Sequence, residues 1–162
     1  MDDSLNADTL KPKYRRVVLK LSGEGFGHNS KNGISIDETL GIARQCKRVI
    51  ERGVQLAVVV GGGNLIRGTQ FSAGGKVIKE ETAHYMGMLA TVLNGLALRD
   101  ALESLGCSTR VMTAIRMDQV AEPYILGRCL RHLEKKRTTI LVGGTGNQIG
   151  RASCRERVCL YV

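Results

Sequence analysis

At 162 residues, 43% of them apolar, the chain is long enough to bury one core of ordinary size and too apolar for a disordered segment. Its formal charge of +9 points to an anionic partner, but with 4% aromatic residues and with its basic residues mainly on helix-like stretches, no nucleic-acid partner is expected and a small phosphorylated ligand is favoured. No apolar run reaches the roughly 18 residues of a membrane span and Met1-Asp2-Asp3 opens no signal peptide, so a soluble, cytoplasmic protein with no membrane partner is expected.

Residues 1–13 are polar and expected to fray. "RVVLKL", Arg16 to Leu21, predicts a first strand that runs into Ser22-Gly23-Glu24-Gly25. A helix follows, with Ser35 as N-cap and Glu38 three residues on; Leu40, Ala43, Cys46, Val49 and Ile50 face inward and Gly53 marks its stop. "QLAVVV", Gln55 to Val60, is a strand of the near-continuous apolar kind that a parallel sheet buries on both faces, and it spills into Gly61-Gly62-Gly63-Asn64. The helix predicted over Thr82 to Ser104 is apolar nearly all round, so it is expected to be largely buried, in part against another subunit. Two further strands, Thr109 to Ala114 and Thr138 to Val142, flank a third helix expected from about Pro123 to Lys136. Strands alternating with helices predict an α/β protein with a mostly parallel sheet. Cys46, Cys107, Cys129, Cys154 and Cys159 are scattered without a C-x-x-C pair, which fits reduced thiols and no zinc site.

Three strands end in glycine loops: Ser22-Gly23, Gly61-Gly62-Gly63, and Gly143-Gly144-Thr145-Gly146. In an open parallel sheet, ligands bind outside the carboxyl ends of the strands, so the three loops should share one edge. A glycine backbone lets N–H groups approach an anion closely. Lys20 in the first strand and Arg67 just past the second loop are the candidate catalytic cations, because phosphoryl transfer asks the protein to position phosphates and neutralise charge. A P-loop is absent, since Gly75-Lys76 is followed by Val77, and no G-x-G-x-x-G opens a helix. None of the histidines suits a general base: His28 lies in a polar loop, His132 on a basic helix, and His84 in a helix read as core. A phosphate acceptor, anionic at neutral pH, would need no base.

"VLKLSGE" (Val18 to Glu24), "VVGGGNLIRG" (Val59 to Gly68), "HYMGMLATVLNGLALRDALE" (His84 to Glu103) and "GGTGN" (Gly143 to Asn147) together resemble the bacterial uridylate kinase family of the amino acid kinase superfamily, from about Tyr14 to Asn147. The resemblance implies a three-layer α/β/α sandwich with a mostly parallel sheet, assembled as a homo-oligomer, a hexamer in the family. It implies transfer of the γ-phosphoryl group of ATP to UMP, with Mg²⁺ carried on the nucleotide and no metal ligand assigned to the chain. Carried over by motif, Lys20, Leu21, Ser22 and Gly23 bind ATP, Gly63 and Arg67 serve its phosphates, and Gly62, Thr145, Gly146 and Asn147 contact UMP.

Where the family holds the ribose with an Asp, this chain has His84, which can still hydrogen-bond a hydroxyl. Residues 148–162 depart from the family altogether: "RASCRERV", Arg151 to Val158, resembles an in-frame translation of a sequencing adapter. That tail is expected to be non-native, leaving residues 14–147 as a kinase domain incomplete at its C-terminus and inactive by itself. The alternatives are a non-catalytic nucleotide-binding or regulatory module and another amino acid kinase.

Overall fold

The computed structural model describes residues 12–27, 33–66 and 78–144. Most of the segment expected to fray, residues 1–11, and the whole of the tail 148–162 lie outside them. Strand β1 (Arg16–Leu21) leads into a short 3₁₀ turn (Gly23–Phe26), helix α1 (Ile36–Glu51) and strand β2 (Gln55–Val60). Helix α2 (Glu80–Ser104), strand β3 (Thr109–Thr113), strand β4 (Glu122–Pro123), helix α3 (Leu126–Glu134) and strand β5 (Thr138–Val142) complete the order.

The described strands form one sheet in the order β1-β2-β5-β3-β4, and every pairing is parallel. Alternate residues of the central strands therefore supply two cores. Leu56, Val58 and Val60 of β2, Val111 of β3 and Ile140 and Val142 of β5 pack with Ala43 and Cys46 of α1 and Val92, Leu98 and Leu102 of α2. On the other face Ala57, Met112 and Leu141 meet Cys129 and Leu133 of α3. The result is the expected α/β/α layering, with α1 and α2 on one face and α3 on the other.

Local chemistry explains the element ends. Ser35 Oγ accepts the Glu38 N–H at 3.3 Å, as its capping position predicts, while the Ser35 N–H goes to the Phe26 carbonyl at 2.7 Å. That bond seats the 3₁₀ turn against α1 and buries Phe26 completely. Gly53 takes φ +82° and its N–H returns to the Ile50 carbonyl at 2.9 Å, ending α1 as expected. Burial pushes the Cys46 thiol above its ordinary pKa of 9.0, with the Cys107 thiol adding to the shift, so Cys46 is a neutral core residue.

One expectation is corrected. The third helix does not start near Pro123. Glu122 and Pro123 instead pair with Met112 and Thr113 as the edge strand β4, and the Tyr124 N–H is bound by the Thr113 carbonyl at 2.9 Å. An edge strand tolerates proline because one side of its backbone needs no donor. Within this chain α2 is covered on one side: Tyr85, Leu89 and Leu93, spaced four residues apart, are 44%, 46% and 53% exposed. The helix lies on the sheet by one face only, and this stripe belongs to the other.

Glycine 95 of α2 decides how closely that helix approaches the sheet, because a Cβ there would lie 2.5 Å from Val142 Cγ1. Gly41 of α1 has nothing within 4 Å of the same position. Alanine is the better helix former by about 1 kcal/mol, so Gly41→Ala should stabilise by about that much. Gly95→Ala should instead destabilise by about 1–3 kcal/mol through overpacking, and urea unfolding of the two variants checks the opposite signs.

Candidate functional site

Because β1, β2 and β5 are parallel neighbours, the loops after them emerge side by side at the carboxyl edge of the sheet. The first two are packed backbone on backbone. A Cβ on Gly23 would lie 2.8 Å from both the Gly61 carbonyl oxygen and the Gly62 carbonyl carbon, and one on Gly61 would lie 2.8 Å from the Gly23 nitrogen. Gly62 in turn sits against α2, where its Cβ would meet Ala90 Cβ at 2.8 Å and the Gly87 carbonyl at 3.0 Å. These three positions are glycine because the chain leaves no room for anything else. Gly63 differs: among the described residues its Cβ would meet only Glu24 Cγ at 3.8 Å, an ordinary contact.

The Gly61 N–H is taken by the Leu21 carbonyl at 2.9 Å, whereas the N–H groups of Gly62 and Gly63 donate to none of the described residues. Both residues are half-buried. Two adjacent amides with no acceptor among the described residues make a cradle that an anionic oxygen can approach. After β5, Gly143 and Gly144 adopt φ +78° and +60°, a consecutive left-handed pair that other residues resist. Gly144 also faces Met88 of α2, whose Sδ would lie 3.7 Å from a Cβ there.

Behind these loops stands a buried pair of amides. Asn64 Nδ2 donates to Asn94 Oδ1 at 3.0 Å and Asn94 Nδ2 donates to Asn64 Oδ1 at 2.7 Å. Each spends its second N–H on a backbone carbonyl, Asn64 on Gly33 at 2.7 Å and Asn94 on Gly61 at 2.8 Å. Thr91 accepts the Gly143 N–H on its Oγ1 at 2.8 Å. Sequence reasoning singled out neither Thr91 nor Asn94; the signal available was a lone asparagine inside the apolar run "TVLNGLAL".

The predicted residues divide clearly. Leu21, Ser22, Gly23, Gly62 and Gly63 come together on the β1 and β2 loops. Lys20, one residue from the end of β1, is exposed on the face opposite Leu19 and Leu21, which belong to the α1–α2 core. His84 stands in the first turns of α2, half-exposed and 3.6 Å from Glu80 through Nε2, which corrects its reading as a core histidine. Arg67, Thr145, Gly146 and Asn147 lie outside the described residues, as does His28.

His132 serves structure: its Nε2 is 3.1 Å from Glu122 and its Nδ1 3.3 Å from Arg137. Since the Arg137 guanidinium can only donate, Nδ1 accepts and Nε2 carries the proton to Glu122. Among the described residues no group of three or more His, Cys, Asp or Glu comes together that could hold a metal ion, and no helix is long and apolar enough to cross a membrane. A cavity of about 220 Å³ beside β3, lined by Arg99, Glu103, Arg110 and Glu122 among others, shares none of the predicted site residues.

Fold and loops together define an α/β protein whose glycine-bearing strand ends converge on one edge. The chain belongs to the amino acid kinase family, whose family model matches residues 15–155. Its structure is similar to the UMP kinase of Bacillus anthracis, with 36% identity and a TM-score of 0.78 over 83% of this chain and 55% of that one. It is also similar to the UMP kinase of Ureaplasma parvum, with 31% identity and a TM-score of 0.78 over 86% of this chain and 61% of that one. The T. acidophilum isopentenyl phosphate kinase, at 16% identity and a TM-score of 0.50 over 79% of this chain and 54% of that one, shares the fold alone. The chain thus spans between half and two thirds of the length of these kinases.

Replacing Asn94 by Ala removes the donor to Gly61 and leaves the buried Asn64 amide without its partner. Stability should fall by about 2–3 kcal/mol, measured by urea unfolding, because a buried polar group left unpaired costs its desolvation. Asn64→Ala should give a similar loss, and the double variant should lose less than the sum of the two.

Proposed function

We propose that residues 14–147 are the N-terminal part of a nucleotide kinase that transfers the γ-phosphoryl group of ATP to UMP. The observation that carries this reading is the convergence of the β1, β2 and β5 loops at one sheet edge, where the Gly62 and Gly63 amides meet no acceptor among the described residues. Similarity to two UMP kinases supports the choice of substrate.

In this reading a UMP phosphate oxygen attacks the γ-phosphorus of ATP, the bond to the β–γ bridging oxygen breaks, and its electron pair leaves on ADP. The acceptor oxygen is already anionic at neutral pH, so no proton has to be taken and the lack of a suited histidine is no obstacle. The chain's own part is to position phosphates and offset their charge. Lys20 and the amides of Ser22, Gly23 and Gly63 serve ATP, with Arg67 following the β2 loop in sequence. Gly62, His84 and Thr145 to Asn147 serve UMP. Mg²⁺ carried on the nucleotide would neutralise phosphate charge, and the chain's own contribution is the glycine amides and the Lys20 cation.

The 162-residue chain should bind UMP without turning it over, and a reading frame extended past codon 147 to the length of the related kinases should form UDP from ATP and UMP. Calorimetry on the first and a coupled ADP assay on the second check both; an extended protein that binds UMP without forming UDP would instead favour a non-catalytic module. His84→Asp should tighten UMP about fivefold to tenfold, since a carboxylate is a stronger acceptor for a ribose hydroxyl than an imidazole nitrogen.

The exposed row of Tyr85, Leu89 and Leu93 supports a homo-oligomeric assembly, because an apolar stripe on a helix is ordinarily covered. Light scattering should find a dimer or larger species, and Leu89→Lys with Leu93→Lys should shift it toward monomer.

A further inference from the structure

Parallel strands β2 and β5 are held in register by their ladder, Ala57 to Thr139, Val58 to Ile140 and Val59 to Leu141, but the ladder stops where the glycine loops begin. Past that point the end of β3 packs on the second loop, where a Cβ on Gly143 would lie 2.8 Å from Thr113 Oγ1, and α2 supplies a side-chain hydrogen bond to each of the two loops. Asn94 holds the β2 loop through the Gly61 carbonyl, and Thr91, three residues earlier and so on the same side of the helix, holds the β5 loop through the Gly143 N–H.

The Thr91 hydroxyl has its polarity fixed by the helix. Its proton goes to the Met88 carbonyl at 2.6 Å, the back-bond that a helical threonine favours, which leaves an oxygen lone pair for Gly143. Without that acceptor, Gly143 and Gly144 have no side chains to hold them in their left-handed pair, and glycine samples more backbone conformations than any other residue. The Gly143 amide is consumed by Thr91, so it is a tether and not a ligand donor.

We propose that Thr91 is a positioning residue for the UMP phosphate: it anchors the Gly143–Gly144 turn at a fixed distance from the Gly61–Gly63 loop that Asn94 anchors, so that the two loops present one preformed anion site. The proposal rests on the UMP-binding reading above. Thr91 touches no substrate; it acts through Gly143, and one helix of fixed geometry sets both loops at once.

Thr91→Val keeps the shape and removes both hydrogen bonds, while Thr91→Ser restores the hydroxyl without the methyl. UMP is titrated calorimetrically into the 162-residue chain and its two variants, and amide hydrogen exchange at Gly143 is followed in each by NMR. Thr91→Val should weaken UMP binding about tenfold and lose the protection of the Gly143 amide, and Thr91→Ser should bring both back to within about twofold of the parent. A merely structural role would move the urea midpoint while leaving the affinity of the folded protein for UMP unchanged, and that result overturns the proposal. So does Gly143 protection that survives in Thr91→Val, or a Thr91→Ser protein that regains protection without regaining affinity. Should Thr91→Val fail to fold, Thr91→Ser alone decides: parent-like affinity and Gly143 protection uphold the tether, and loss of both in a folded protein overturns it. A parent chain with a protected Gly143 amide and no affinity for UMP would refute the functional reading and not the tether.

Discussion

The reciprocal hydrogen bonds between Asn64 and Asn94 are the interaction on which the arrangement of the sheet edge depends. Each amide gives one N–H to its partner and one to a backbone carbonyl, so two side chains tie together the stretch before α1 at Gly33, the loop after β2 at Gly61, and the middle of α2. Turning either amide over would set an oxygen against a carbonyl oxygen, which fixes the orientation of both. The pair is neutral, so it escapes the desolvation penalty of a buried ion pair while still forbidding any slip of α2 along the sheet. No buried side-chain nitrogen or oxygen among the described residues lacks a partner, and here that rule is met by two residues that satisfy one another.

This anchor changes what the glycines mean. Gly23, Gly61 and Gly62 are forced by contact, because loop lies on loop and loop lies on helix at distances that exclude a Cβ. Their presence alone therefore says nothing about a ligand. Gly63 is the informative one, since no described residue crowds a Cβ there and none accepts its N–H. Gly143 and Gly144 fall between these cases: their backbone angles demand glycine, and the Thr91 tether shows what the angles achieve.

The sequence made the repeating parts of the fold legible and the single contacts illegible. β1, β2 and β5 have the limits that their apolar runs predict, and α1 begins at the Ser35 cap and stops at Gly53, because strand and helix patterns and caps are local chemistry. β4 was hidden because two residues pair only through a distant strand, and because a proline reads as a helix start as readily as a strand edge. Phe26 as a core residue, Asn94 as the partner of Asn64, and Thr91 as the acceptor for Gly143 each depend on residues 9, 30 and 52 positions away. Of the candidate site, the three loops could be read as a set, since parallel strands must deliver their ends to one edge. What holds the loops could not, since α2 looked simply apolar.

That helix carries two separate duties on two faces. Toward the sheet it presents Gly87, Ala90, Thr91, Asn94 and Gly95, small or polar groups that allow close approach and supply the hydrogen bonds; away from it run Tyr85, Leu89 and Leu93. The contact of Gly95 with Val142 fixes how near the axis lies to β5, and the contact of Gly62 with Ala90 fixes its rotation at the loops. A helix held this way has little freedom to turn, because a rotation that withdrew Asn94 from Gly61 would also withdraw Thr91 from Gly143. The outer stripe is consequently presented in one orientation set by the inner face. A surface packed on Tyr85, Leu89 and Leu93 would therefore bear on the same helix that hydrogen-bonds the β2 loop through Asn94 and the β5 loop through Thr91.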